Sequence, residues 1–271
     1  MKNKILITAS LIIFLLPMAL QAQLRKIDYI PFKRGEKLKY IAYYDSYVTG
    51  HVNAGEGIFE IKKENKQIAN RNTMHVVVNW YTLGAFNLFF KVRDRYETYI
   101  DEEAIYPWLF IRRVQEGGYK LSHDVTFNHY NNTTYYKDNK SGYTNTQSVP
   151  PNLQDIISVL YYARTWDISD AKVGDHIPLQ FCLDDTVFTT NLYYTGKQTI
   201  STSAGKFKCI VIKPQVLMGN VFDTEFPMTL WITDDKNHIP VMGQSEVLIG
   251  TVKMELIKYS GLKYPLTSKI K

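Results

Sequence analysis

The sequence predicts a mostly β protein: a large antiparallel sheet, sandwich or open barrel, with one short helix near residues 152–164. Three observations carry this. The aromatics are strand formers, 20 Tyr, 13 Phe and 4 Trp, accompanied by frequent Thr, Val and Ile. Apolar and polar residues alternate in many short segments separated by turn residues. One segment alone changes to a helical period.

In chain order, the first alternating segment is Leu38 to Tyr44, with Leu38, Tyr40, Ala42 and Tyr44 on one face. Gly57 to Lys62, Met74 to Tyr81, and Phe89 to Val92 running on to Ile100 follow. Next come Trp108 to Val114, Tyr119 to Phe127 and Thr133 to Lys137. Gly117-Gly118 turns the chain between two of these. Asn128 to Val149 is polar and reads as exposed hairpin and loop. Then Pro150-Pro151 precedes Asn152 to Arg164, where Ile156, Val159, Leu160 and Ala163 fall at i, i+3, i+4 and i+7. This predicts a helix of about three turns. Asn152 is the expected cap, and Asp155 sits favourably near the positive helix end. The strand pattern resumes at Ile177 to Leu183, Val187 to Tyr194, Lys197 to Ser201 and Phe207 to Lys213. It ends with Met228 to Thr233, Val241 to Leu248 and Thr251 to Tyr259. Asp184-Asp185, Ala204-Gly205 and Asp234-Asp235-Lys236-Asn237 supply turns.

The organisation reads as a leader, 1–22, followed by one β domain, 23–271. Lys2 and Lys4 precede an apolar run to Leu20, and Ala22 offers a small residue for cleavage: the pattern of a secretory signal peptide. The run is shorter than the ~20 residues of a spanning helix. No later stretch is long and apolar enough to span as a helix. The expected location is therefore periplasmic or extracellular. Within the β domain, Gly35-Glu36 and Gly174-Asp175 open similar strands. Asp101, Pro107 and Gly117 recur as Asp234, Pro240 and Gly250, each 133 positions on. This favours two repeat halves, 35–149 and 174–260, though turn residues recur in any β protein.

The chain has 32 basic and 26 acidic residues. The excess is mild and dispersed, which excludes a phosphate-tracking patch and hence nucleic acid as partner. The cysteines, Cys182 and Cys209, could form a disulfide after export. Alternation puts Cys182 on the face opposite Ile177, Leu179 and Phe181, whereas Cys209 shares a face with Phe207 and Val211. Two separate thiols are thus the favoured expectation.

Six histidines form no zinc motif, so no metal site is expected. His123 and His129 read as solvated strand residues. There is no Gly-x-Ser-x-Gly elbow and no phosphate-cradling loop. The acidic pairs Glu102-Glu103, Asp184-Asp185 and Asp234-Asp235 read as turn tips. No catalytic residue and no cofactor is assigned. Tyr161, Tyr162 and Arg164 at the helix end are the candidate binding residues. One reading is aromatic packing with Arg164 near the negative helix end. The other is a polar clamp at the mouth of a cavity.

Together, several short segments resemble the bacterial exported family known as domain of unknown function 3108. They are Gly35-Glu36-Lys37-Leu38-Lys39-Tyr40, Tyr99-Ile100-Asp101 with Pro107, Asp155 to Arg164, Ala204-Gly205-Lys206-Phe207, and Leu230 to Asp235 with Ile239-Pro240-Val241. The resemblance implies an exported, often periplasmic protein. It implies no activity, cofactor or catalytic residue. The expected function is a non-catalytic envelope module binding a hydrophobic, lipid-like ligand within a curved β architecture. The alternatives are a structural or protein-interaction component of the envelope, and an unrecognised hydrolase.

Overall fold

The structure, a computed structural model, describes residues 24–46, 50–84, 86–215, 225–246 and 250–270. The expected leader, 1–22, lies outside the described residues. Strands β1 (Lys37–Ser46), β2 (Gly50–Ile68) and β3 (Arg71–Thr82) lead to a single helical turn, α1 (Phe86–Phe89). Then β4 (Arg93–Asp101), β5 (Pro107–Glu116), β6 (Tyr119–Asn128), β7 (Thr133–Asp138) and β8 (Thr144–Ser148) complete a meander. A two-residue strand β9 (Gln154–Asp155) and the short helix α2 (Ser158–Ala163) follow. A second meander comprises β10 (His176–Leu183), β11 (Thr186–Thr202), β12 (Gly205–Pro214), β13 (Met228–Thr233), β14 (Pro240–Glu246) and β15 (Thr251–Ser260). The chain closes with β16 (Lys269–Ile270).

All belong to one open sheet, ordered β8-β7-β6-β5-β4-β3-β2-β1-β15-β14-β13-β12-β11-β10-β9, with β16 paired to β12. The last pair, β9 with β10, is parallel, and the others are antiparallel. Consecutive strands are neighbours, as short connections favour. The β1–β15 pair, Lys37 opposite Ser260 through Asp45 opposite Thr251, joins the two meanders. The sheet curls until its edges approach. Gln147 of β8 donates to the Asp185 carbonyl in the β10–β11 turn (2.7 Å), and Thr98 of β4 donates to Asp155 of β9 (2.6 Å). Side chains, not a backbone ladder, bridge this seam.

Antiparallel order sends alternate connections to the same end. One end, called the first, carries the β3–β4, β5–β6, β7–β8 and β10–β11 connections. The second end carries β2–β3, β4–β5, β6–β7, β11–β12 and β13–β14, together with Gly35-Glu36 and Gly174-Asp175. At the second end, Gly35 N–H donates to Ile61 O and Ile61 N–H to Glu36 O. Gly174 and Tyr194 repeat this exchange, Gly174 N–H to Tyr194 O and Tyr194 N–H to Asp175 O. These shared bonds support a proposed repeat of the halves 35–149 and 174–260.

The inside of the curl is filled by the protein itself. Phe32, Leu153, Ile157 and Tyr161 pack against Ile61, Val76, Val78, Ile100, Phe110 and Val125 from the sheet. A second cluster, around Leu38, Tyr40, Phe207, Ile239, Val241 and Leu256, lies under the other meander. Phe59 and Trp80 touch both clusters. Trp80 lies flat against the backbone of Gly57, where any Cβ would collide with its ring. Each fully buried aromatic of these clusters, such as Phe32 or Phe207, contributes on the order of 2 kcal/mol by removing apolar surface from water.

Several expectations are corrected. The helix spans Ser158–Ala163, not 152–164, because Gln154–Asp155 extends to pair with Phe181 and Cys182. Asn152 does not cap: it turns the chain with φ +59°. Ile157 holds the cap position without a side-chain cap bond, and Asp155, two residues earlier, accepts the N–H groups of Ile157 (2.7 Å) and Ser158 (2.8 Å) through Oδ1. Leu160, placed on the packed face by its spacing, is exposed. Phe89 belongs to α1 and not to a strand, and 187–194 with 197–201 forms one continuous strand bulged at Tyr194/Gly196. The Cys182–Cys209 disulfide is not formed. Both thiols are free and buried in different clusters, and burial raises both pKa values, that of Cys209 to about 12.

Candidate functional site

The three residues singled out at the helix end all fall at the second end of the curl, where Arg164 and Tyr161 belong to a buried node. Arg164 is 4% exposed and Glu36 1%. Their side chains form a bidentate pair, Nη1–Oε1 2.6 Å and Nη2–Oε2 2.9 Å. Arg164 Nη2 also donates to the Asn237 carbonyl at 3.0 Å. The guanidinium lies over the rings of Phe32 (5.1 Å) and Tyr161 (5.5 Å). Burial alone would lower the Arg164 pKa; the Glu36 carboxylate outweighs this and raises it. Arg164 is therefore neither a loose helix-end cation nor a clamp at a cavity mouth. It is a fork that ties the start of β1, the end of α2 and the β13–β14 turn together.

The two tyrosines differ. Tyr161 is buried edge-on to Phe32 (5.0 Å), and desolvation pushes its phenol pKa up. Tyr162 is half-buried, with the Arg25 guanidinium 4.5 Å above its ring. Arg25 in turn donates to Ala104 O and Ile105 O, both at 2.9 Å, pinning the N-terminal segment to the β4–β5 turn.

Two grooves flank the node. The larger, about 590 Å³, is lined by Trp166, Asp167, Ser169, Asp170, Asp175 and His176 among others. Its neighbour, about 380 Å³, shares Asp167 and Ser169 and adds Tyr29, Lys197, Asp234 and His238. His238 Nδ1 donates to the Arg164 carbonyl at 2.8 Å, which leaves Nε2 as an acceptor. Burial lowers its pKa, which favours the neutral ring. Such a ring can accept a proton or a hydrogen bond. No hydroxyl or thiol of the described residues is hydrogen-bonded to it, so the nucleophile–base contact of covalent catalysis is not made there. Asp234 is occupied by Lys197 at 2.9 Å. Among the described residues, no group of three His, Cys, Asp or Glu side chains is placed to hold a metal.

The acidic turns are more than solvated tips. Asp101 is buried and accepts from Arg71 (2.8 and 2.9 Å), Trp108 Nε1 (3.0 Å) and two backbone N–H groups. Desolvation opposes this carboxylate, and the donors win, holding its pKa below the usual range. Asp235 does similar work, accepting from Asn237 N–H and Ser268 N–H. Asp184 reaches across the seam to Arg112 (2.9 Å) and His123 Nδ1 (2.7 Å). His123 is thus a seam residue and not a solvated one. His129 is buried too, stacked on Tyr106 at 3.6 Å. Alternation places such residues on a face but says nothing of partners 61 or 72 positions away. Glu36 belongs to one of the family-like segments, yet its pairing with a residue 128 positions on has no local signal.

The geometry thus defines a class: a curled, single-sheet β protein with a self-filled interior and a structural polar node at one end. The chain belongs to the family Protein of unknown function (DUF3108), whose profile matches residues 39–257. That span includes Arg164 and stops three residues short of Glu36. Among solved structures, the fold is similar to a β-barrel-like protein of domain of unknown function DUF1849 from Brucella abortus. The TM-score is 0.56 at 12% identity, over 87% of this chain and 100% of that one. A candidate exported protein with a YmcC-like fold from Bacteroides fragilis aligns at TM-score 0.35 and 11% identity, over 86% and 98%. A candidate lipoprotein from Parabacteroides distasonis aligns at 0.31 and 10%, over 88% and 100%. No curated protein matches the chain.

Proposed function

We propose that this protein is an exported, non-catalytic envelope component that works through its outer surface and does not carry a hydrophobic ligand inside. The single observation that carries this reading is the occupied interior. Phe32, Leu153, Ile157 and Tyr161 fill the curl where a lipid-binding barrel keeps an apolar cavity, and none is more than 6% exposed. The grooves outside it are lined largely by Asp, Ser, His and Lys, and their charges are mostly spent on ion pairs and turns. Export rests on the leader pattern of residues 1–22. The test is twofold. Organic extraction of the purified protein, read by mass spectrometry, should yield no lipid at stoichiometric level. Fractionation with N-terminal sequencing should place a chain cut after Ala22 outside the cytoplasm. One lipid bound per protein, or a cytoplasmic product retaining its leader, overturns the proposal.

A further inference from the structure

The first end of the curl carries a feature that neither the node nor the grooves explain. Leu88 and Phe89, consecutive in α1, are 83% and 88% exposed, and Phe90 is 46% exposed. At such exposure the first two side chains stand proud of the surface and line no recess. The tip is nevertheless braced. Gly117 N–H of the β5–β6 turn donates to Lys91 O (2.8 Å), and Phe90 packs within 3.2 Å of where a Cβ on Gly117 would sit. Tyr119, 57% exposed, continues the apolar surface from that turn. Cations surround it. Lys91, Arg93, Lys120 and Lys140 are exposed, and none has a carboxylate partner among the described residues. Lys140 Nζ donates to the Lys120 carbonyl at 2.8 Å, so these two lysines sit side by side, with Tyr119 in the same shallow groove. Two partly exposed acids lie nearby: Asp138 lines the same groove and accepts from Lys140 N–H and Ser141 O–H, and Glu116 is joined to Val92 by a backbone bridge.

We propose that this tip seats the protein on an anionic membrane surface. Leu88 and Phe89 enter the acyl boundary, Phe90 and Tyr119 lie at headgroup depth, and the four cations meet lipid phosphates. Protruding apolar side chains flanked by four cations without carboxylate partners suit a deformable anionic bilayer. A protein partner instead calls for anchors that fill pockets. The inference rests on the surface-acting reading above and deepens it by naming the surface.

The experiment is co-sedimentation of the purified protein with vesicles of phosphatidylcholine alone and of phosphatidylcholine with 30% phosphatidylglycerol. The parent protein should bind the anionic vesicles and bind at least about ten-fold less to neutral ones, and added salt should weaken the anionic binding. L88S/F89S should lose about ten-fold or more in partition. K91S/K120S should lose binding to anionic vesicles and leave the weak neutral binding unchanged. All four positions are exposed, and circular dichroism should show the parental strand signal in each variant. A folded parent that binds neither vesicle overturns the proposal, as does binding unchanged by L88S/F89S. A photo-crosslinker at position 89 that captures a protein instead of lipid in cells also overturns it. That last result leaves the surface-acting function standing, whereas a lipid extracted from the interior sinks the function itself.

Discussion

Two ion pairs hold distant parts of this molecule together, and they do so under opposite conditions. Glu36–Arg164 lies in the node at the second end, 1% and 4% exposed, with a carbonyl sharing the guanidinium. Arg112–Asp184 lies on the seam, 18% and 29% exposed, with His123 as a third member. The seam pair keeps part of its hydration, so bringing its charges together gains less than pairing in the node does. In the node neither charge has water to return to. Losing one partner there strands the other in a medium that cannot solvate it. The comparison teaches that span along the chain does not set the importance of a contact. Burial does.

Breaking the node should have the largest effect. Glu36→Ala or Arg164→Ala should each lower stability in urea by about 3–5 kcal/mol, the cost of an uncompensated buried charge. The double replacement Glu36→Leu/Arg164→Met should recover much of that loss. If both single variants unfold at the parental urea concentration, the node is not the lock described.

Next in size is the pH dependence set by Asp155, just before α2, and by His129. Burial raises Asp155 from 3.8 to about 6. The fold favours its neutral form, so its contribution is fully present below the unfolded value and is lost as pH rises through about 6. His129 has the opposite sign. Burial lowers it from 6.5 to about 4, so its contribution is present above pH 6.5 and is lost as pH falls toward 4. Asp155→Asn should remove the first slope and keep the second. Its stability should therefore rise more steeply between pH 4 and 6 than the parent's, with a cumulative difference of up to about 3 kcal/mol. Urea midpoints across that range measure it, and parallel curves would refute it.

The seam should respond least. Asp184→Asn should cost about 1 kcal/mol, and the difference should shrink as salt is added. A loss as large as that of Glu36→Ala would erase the distinction between the two pairs. The thiols give a further check on burial. Cys182 and Cys209 should not react with a thiol reagent until urea unfolds the chain, because a high pKa and no exposure suppress the thiolate.

Much of the sheet is legible in the sequence because strand formation is local. Tyr40 and Leu38 alternate with lysines, and that period alone puts them inside. The same logic fails where a residue's surroundings come from elsewhere. Leu160 has helical spacing but faces solvent. Phe89 reads as strand yet caps an exposed turn. Cys182 lies on the face opposite Leu179 and is buried all the same, because the sheet is covered on both sides there. Tyr161, Tyr162 and Arg164 are adjacent in sequence, but their surroundings are set by Phe32, Arg25 and Glu36. Those residues lie far along the chain and reach the helix only through the fold.

The alternation of greasy and polar residues, with turn residues between, determined by itself that this chain forms many antiparallel strands, since neighbours in sequence set that rhythm. Only the tertiary structure decided that the strands join into one curled sheet, that the N-terminal segment and α2 fill its inside, and that Arg164 finds Glu36. These outcomes depend on which surfaces exclude water from one another, and no local pattern encodes that.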